Sequence, residues 1–245
     1  MKYIVVIPAR YKSTRLPGKP LLDICGVPMV VRTYQQCIKV VSPELVYVAT
    51  DDNRIKQVCD NEDIQVLMTS GDCLTGTDRV AEAAKQVEAD VYINVQGDEP
   101  LFSPSDLNAL IKAALKNPNQ VIGGYCDIDD EEMYRSRSIP KVVFRPDGRV
   151  LYMSRAAIPG NKDSGFIKAW RQVCAYAYPL KALEDFANIS KKTELESIED
   201  IELLRFLELN WDVFVIPMSK SSIAVDNPED VEKVKRALES KKHEC

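Results

Sequence analysis

Short β-branched runs alternating with segments of helical periodicity are the feature that most narrows the folds open to this chain. Tyr3 to Pro8, Leu45 to Ala49, Ile64 to Met68 and Val91 to Val95 are strand-sized, and Val27 to Val40, Asn53 to Asp60 and Thr77 to Val87 carry apolar residues at helical spacing between them. Connections this short favour right-handed crossovers, so the expected fold class is α/β, a Rossmann-like, mostly parallel sheet flanked by helices on both faces. Past about residue 127 the rhythm changes. Lys141 to Phe144, Gly148 to Tyr152 and Val173 to Tyr178 read as strands without long helices between them, an antiparallel excursion whose first two members bracket the turn Pro146-Asp147-Gly148. A helix over Glu196 to Leu209, a strand over Val213 to Met218 and a last helix complete the pattern, with Asn227 as N-cap, Pro228 in its first position and Glu229 and Asp230 in its first turn. No internal repeat or low-complexity segment interrupts it. Residues 1–245 are read as one domain with sections 1–130, 131–190 and 191–245.

Composition removes several classes of function. With 245 residues, 45% apolar and 28% charged, the chain has material for a sizeable core. Its 32 Lys and Arg against 37 Asp and Glu give a net charge of −5, which argues against a general polyanion-binding surface, so nucleic acid is not expected as a partner. The apolar runs fall well short of the roughly 20 residues a bilayer span requires. Met1-Lys2 leads directly into the first strand with no signal-like segment, so a cytoplasmic protein without membrane association is expected. Seven cysteines (Cys25, Cys37, Cys59, Cys73, Cys126, Cys174, Cys245), with no C-x-x-C pair, indicate neither a disulfide framework nor a zinc site. The single histidine, His243, lies in a charged tail from Arg236 to Cys245 that reads as a solvated helix end. Catalysis therefore has to rely on carboxylates, cations or a metal rather than on Ser-His-Asp or Cys-His chemistry. Trp170 and Trp211 are read as core or interface anchors.

The segment after the first strand carries the clearest chemical signal. Arg10, Lys12, Arg15 and Lys19 fall within ten residues of an otherwise acidic chain, at the carboxyl edge of the expected sheet, where ligands of such folds bind. Ser13, Gly18 and backbone amides there can wrap a polyphosphate while the cations neutralise it. The loop is neither a Walker A nor a G-x-G-x-x-G sequence. A second signal is Gln96-Gly97-Asp98-Glu99-Pro100, where Gly97 lets the chain turn and Asp98 projects from a strand end as a hard oxygen ligand suited to Mg²⁺ beside phosphate. Asp226, in Ile223-Ala224-Val225-Asp226-Asn227-Pro228, closes an apolar stretch before a helix in the same manner. Two carboxylates at separate strand-to-helix junctions and a basic loop at a third suggest metal-assisted nucleotidyl transfer.

These residues stand in blocks that resemble 3-deoxy-manno-octulosonate cytidylyltransferases. The blocks are I-P-A-R-Y-K-S-T-R-L-P-G-K-P-L from Ile7 to Leu21, A-T-D-D from Ala49 to Asp52, T-G-T-D-R from Thr75 to Arg79, N-V-Q-G-D-E-P from Asn94 to Pro100, Y-M-S-R-A-A-I-P from Tyr152 to Pro159 and V-D-N-P-E-D from Val225 to Asp230. They span nearly the whole chain in the family's order. The resemblance implies a nucleotide-diphospho-sugar transferase fold and a homodimer built partly through the antiparallel section, with 1–130 binding nucleotide and 131–190 binding sugar and the second subunit. It also implies a reaction in which CTP and an ulosonic acid give a CMP-sugar acid and pyrophosphate for surface polysaccharide assembly. Carried over by position, Arg10, Ser13, Arg15 and Lys19 would grip the triphosphate, and Pro8, Ala9, Arg79 and Gln96 would surround cytosine and ribose. Asp98 and Asp226 would hold Mg²⁺, with Lys19 sharing in catalysis. Such a metal would neutralise charge and lower the pKa of the attacking hydroxyl without any histidine.

Departures from the family concern the sugar. A Lys-His-x-Gly-Ile-Tyr stretch is common where this chain reads Arg171-Gln172-Val173-Cys174-Ala175-Tyr176, so Gln172 replaces a histidine. Aligning the family's Glu-Ser-Leu-Glu-Gln-Leu-Arg with Glu196 to Glu202 puts Asp200 where Gln is usual and Glu202 where Arg is usual. Gln172 keeps a donor and an acceptor but no charge, and Asp200 can receive a hydroxyl or amino group. Arg155, Gln172, Tyr176, Glu196 and Asp200 are the residues expected at the sugar. The same chemistry on a sialic-acid-like or amino-substituted ulosonate is the alternative. A regulatory nucleotide-binding protein that had lost turnover would show damage at Asp98, Asp226 or the basic loop, and all are intact.

Overall fold

The computed structural model describes residues 1–12 and 16–243. In chain order its main elements are β1 (Tyr3–Ala9), β2 (Asp23–Ile24), β3 (Val27–Pro28), α1 (Met29–Cys37), β4 (Val46–Thr50), α2 (Asn53–Asn61), β5 (Gln65–Met68), α3 (Gly76–Ala84), β6 (Val91–Val95), α4 (Pro104–Lys116) and β7 (Val121–Asp127). After these come α5 (Glu131–Arg135), β8 (Lys141–Phe144), β9 (Val150–Ser154), β10 (Trp170–Pro179), α6 (Leu180–Ala187), α7 (Glu194–Glu199), α8 (Leu203–Glu208), β11 (Val213–Pro217) and α9 (Pro228–His243). One large sheet runs in the order β11-β7-β10-β6-β1-β4-β5.

Strands β6, β1, β4 and β5 pair in parallel, as the alternation of strand and helix predicts. The apolar runs of β6, β1 and β4 follow from burial on both faces, whereas β5 is a partly exposed edge strand. Val5 and Ile7 of β1 pack with Val30 and Val31 of α1, Ile55 of α2 and Leu107 and Leu110 of α4, while Ile4 and Val6 pack with Val80 of α3, Leu183 and Phe186 of α6 and Phe206 of α8. The carboxyl ends of β1 and β6 therefore open on one edge between two helical layers.

Two expectations are corrected, and one unassigned stretch is filled. β8 and β9 form an antiparallel hairpin on the flank of the sheet; Val173 to Tyr178 belongs to β10, which runs antiparallel between β6 and β7 inside the main sheet, pairs with β8 at Arg171 and packs Trp170 on Phe144 of β8. Its Tyr176 and Tyr178 fill one face and Val173, Ala175 and Ala177 the other, so tertiary packing places this strand where local sequence cannot. The helix expected over Glu196 to Leu209 breaks into α7 and α8 at Asp200, which takes a left-handed conformation with φ 52. Asp tolerates that conformation better than most residues. The span between Leu101 and Asp127 holds α4 and β7, the strand between β11 and β10, which the sequence reading left unassigned.

The hairpin's tip is anchored. Gly148, at φ +88, lies where an added Cβ would meet the Val215 carbonyl at 2.9 Å, and its own carbonyl accepts from Val215 N at 2.9 Å. That close approach needs glycine.

Candidate active site

A cleft of about 450 Å³ opens at the carboxyl edge of β1 and β6. Of the residues expected there, Pro8, Ala9, Arg10, Lys19, Arg79, Gln96, Asp98, Arg155, Gln172, Tyr176, Asp200 and Asp226 line it. Ser13 and Arg15 lie outside the described residues, as does Cys245. On either side of Ser13 and Arg15, Gly18 N donates to Tyr11 O at 3.0 Å, and Tyr11 is covered by the Arg54 guanidinium 3.3 Å from its ring centroid.

The two aspartates meet across more than a hundred residues of chain. Asp98 follows Gly97, where a Cβ would stand 2.8 Å from the Pro8 carbonyl, so only glycine lets the turn after β6 lie against the end of β1. Thr33 of α1 donates to the Gly97 carbonyl at 3.2 Å from behind. The loop after β11 is tied to the same turn by Val225 N donating to Asp98 O at 2.9 Å and by Ser222 donating to Glu99. Asp230 accepts from the amides of Asp226 and Asn227 at 3.2 and 3.0 Å, which fixes the entry to α9. Between the aspartates sits Lys19. Its Nζ donates to Asp98 Oδ2 at 2.6 Å, to the Val225 carbonyl at 2.9 Å and to Asp226 Oδ1 at 3.5 Å. Burial alone would lower the Lys19 pKa, but the two carboxylates hold it above its ordinary value.

An all-oxygen pair that shares one cation fits Mg²⁺, which takes one or two carboxylates and completes its shell with phosphate oxygens and water. Among the described residues no cluster of three or more His, Cys, Asp or Glu side chains offers a fuller cage. Beside Asp98, Glu99 is buried, and its pKa is pushed up to about 7 by that burial and by the Asp98 charge.

Arg79 reaches the cleft from α3, but its guanidinium is turned to the Thr69 hydroxyl, to the Ser70 carbonyl at 3.3 Å and to Asp51 Oδ1 at 3.5 Å. Asp52 caps α2 by accepting from Arg54 N at 2.9 Å. The A-T-D-D and T-G-T-D-R blocks thus meet to fix the first turn of α3.

On the opposite wall Gln172 Nε2 donates to the Tyr176 hydroxyl, while Gln172 Oε1 is buried without a hydrogen-bond partner, a polar atom left for a ligand. Arg155 donates to the carbonyls of Arg137, Glu199 and Asp200 at 3.0, 2.6 and 3.0 Å, so it braces the wall as much as it faces the cleft. Asp200 is paired with Lys192, whose hydrogen bond holds its carboxyl below the ordinary range. Cys174, also in the wall, has its thiol pushed up to about 12 by burial.

Glu196 does not reach the cleft, which corrects its expected place at the sugar. It is buried in a fork with Arg205, at 2.6 and 2.8 Å, and Arg205 also donates to Asp78 at 3.0 Å. The cause is a register slip. Glu196, Glu199 and Glu202 repeat at three-residue intervals, and the family run fits better from Glu199 to Arg205, where both glutamates and the arginine are kept. Glu202 then emerges as a cleft residue that the sequence reading noted only as a departure. It accepts from Gly76 N at 3.2 Å and Thr77 N at 2.9 Å, and its burial raises its pKa. Thr75, Gly76 and Lys192 were likewise missed as cleft residues. The T-G-T-D-R block carried a signal for the first two; nothing local marks Lys192.

Residues 4–215 match the family model described as cytidylyltransferase. The 3-deoxy-manno-octulosonate cytidylyltransferase of Escherichia coli is 36% identical over 237 residues, 97% of this chain and 96% of that one. The protein of the same name from Geobacter sulfurreducens is 38% identical over 250 residues, covering 97% of this chain and 100% of its own. Among solved structures, a CMP:2-keto-3-deoxy-manno-octonic acid synthetase complexed with CTP has a TM-score of 0.91 at 35% identity and covers 98% of this chain and 100% of that one. HddC from Yersinia pseudotuberculosis shares the fold, with a TM-score of 0.70 at 19% identity over 97% of this chain and 100% of that one.

Proposed function

Because this chain belongs to the 3-deoxy-manno-octulosonate cytidylyltransferase family, we propose that it transfers the CMP group of CTP to 3-deoxy-manno-octulosonate and releases pyrophosphate. The observation that carries this reading is the convergence of Asp98 and Asp226 on one cation, between a basic loop and a polar pocket.

The nucleotide lies along the carboxyl ends of β1 and β6. Pro8, Ala9, Gln96 and the first turn of α3 enclose base and ribose, and Arg10 and Lys19, joined by Ser13 and Arg15, neutralise the triphosphate. The acceptor occupies the wall of Gln172, Tyr176, Arg155, Asp200 and Lys192. Its anomeric hydroxyl oxygen attacks the α-phosphorus, the bond from that phosphorus to the bridging oxygen breaks, and pyrophosphate leaves along the basic loop. Asp98 and Asp226 would hold Mg²⁺, which when bound neutralises the transferring phosphoryl group and makes the attacking hydroxyl more acidic. Holding both reactants in line supplies much of the remaining acceleration. We also read the enzyme as a cytoplasmic homodimer, supported by the outward-facing Leu151 and Ile167, 62% and 78% exposed, in and beside the hairpin section. Among the described residues no helix is long and apolar enough to cross a membrane.

A pyrophosphate-release assay with CTP and 3-deoxy-manno-octulosonate tests the reading. Turnover should require Mg²⁺, stop with EDTA and fall sharply when UTP, ATP or GTP replaces CTP. Release with a nine-carbon or amino-substituted ulosonate and not with the octulosonate would reassign the acceptor; release with none of them would overturn the assignment.

A further inference from the structure

We propose that Lys19 is the resting occupant of the metal site: without nucleotide its ammonium stands between Asp98 and Asp226 and keeps free divalent cations out, and the arriving triphosphate draws it away and lets the ion in. This rests on the reading of Asp98 and Asp226 as the metal's ligands.

An ammonium has three N–H donors. Lys19 Nζ meets three acceptors, Asp98 Oδ2 at 2.6 Å, the Val225 carbonyl at 2.9 Å and Asp226 Oδ1 at 3.5 Å, so in this state its donors are spoken for and none is directed to phosphate. A metal ion needs lone pairs of the same carboxylate oxygens. The ammonium is also well enclosed, with its side chain 17% exposed. The carboxylates cannot move apart to relieve their repulsion, because Val225 N and Asp98 O bind the two loops together at 2.9 Å. A cation between them relieves that repulsion in either state.

Exchange is favourable in charge once nucleotide is present. Replacing the ammonium by a divalent ion adds one positive charge between the two carboxylates, and the displaced ammonium goes to the phosphates. The stem makes this possible. Lys19 opens a short 3-10 turn, Lys19–Leu21, held by Leu21 N donating to Gly18 O at 2.8 Å, so the backbone stays fixed while the four-carbon side chain swings.

Two measurements test it, neither of them turnover. Mn²⁺ binding to the nucleotide-free protein is followed by the EPR signal of the free ion. Lys19→Met should bind Mn²⁺ on the order of tenfold tighter than wild type, because a unit charge in contact with the ligands is gone. Lys192→Met removes the same charge from the opposite wall and should change affinity by about twofold or less, since that charge is already paired with Asp200 and is not in the ion's place. Equal affinity in wild type and Lys19→Met, or an equal gain in Lys192→Met, would overturn the proposal.

The second measurement uses ¹⁵N-lysine NMR in EDTA, with the Lys19 ammonium signal assigned by its loss in Lys19→Met or, should that variant not fold, in Lys19→Arg. The signal should shift when cytidine 5′-(α,β-methylene)triphosphate binds, and a bound nucleotide with an unmoved signal would equally refute the exchange. Either failure with normal pyrophosphate release would leave the proposed activity standing, so the two ideas fail separately.

Discussion

Asp98 is the residue on which chemistry and structure bear most directly. In the proposed reaction its carboxylate would help hold the metal beside the reacting phosphorus rather than contact the base. Asp98→Asn should therefore keep CTP affinity within a few-fold while lowering turnover by about a hundredfold or more, as read by nucleotide titration and pyrophosphate release side by side. The neighbouring Glu99 gives a pH prediction. Its folded pKa near 7 stands above the ordinary 4.5, so the folded state binds more protons between those values and stability falls as pH rises through that window. The wild-type advantage over Glu99→Gln should shrink by up to about 3 kcal/mol between pH 4.5 and 7, and thermal or urea melts at the two ends measure it. That Lys19, Asp98 and Asp226 come together was legible in sequence because each follows an apolar strand-like stretch or lies in the basic loop after the first strand, at the edge where the ends of an α/β sheet converge. Glu196 misled because a glutamate in a Glu-rich helix carries no local mark of facing inward, and only Arg205 reveals that it does.

At the scale of elements, the parallel half of the sheet was readable because its strands and helices each announce a period, and β1, β4, β5 and β6 fall within a residue or so of their expected bounds. β10 was readable as a strand but not as a member of the main sheet, since its neighbours β6 and β7 come from distant parts of the chain. Two joints between elements should prove costly to disturb. Arg205→Met would leave the buried Glu196 carboxylate and the half-buried Asp78 carboxylate without their cation and should cost about 3–5 kcal/mol, with part recovered in the Glu196→Gln, Arg205→Met double variant, both read by denaturant melts. Gly97→Ala drives a methyl against the Pro8 carbonyl; a loss of about 1–3 kcal/mol together with reduced turnover is expected, because the turn that moves carries Asp98.

For the whole molecule, the site is assembled from the two extremes of the chain. α9 holds the Asp226 loop through a small separate core in which Val234 and Val225 pack on Ile24, Met29 and Leu101. Val234→Asp should release that loop and remove most turnover while the main thermal transition moves little, because neither of the two large cores includes Val234. Calorimetry and pyrophosphate release on one preparation check both halves of the statement. The antiparallel course of β10 has a bearing on how the protein is made. A ribosome delivers β6 some eighty residues before the strand that will cover it, so for several seconds of translation, at typical elongation rates, a nascent chain offers an unpaired, mostly apolar strand edge to its surroundings. Chaperone demand, and the hazard of nascent chains pairing with one another on a crowded polysome, should peak in that interval and end when residue 179 clears the exit tunnel.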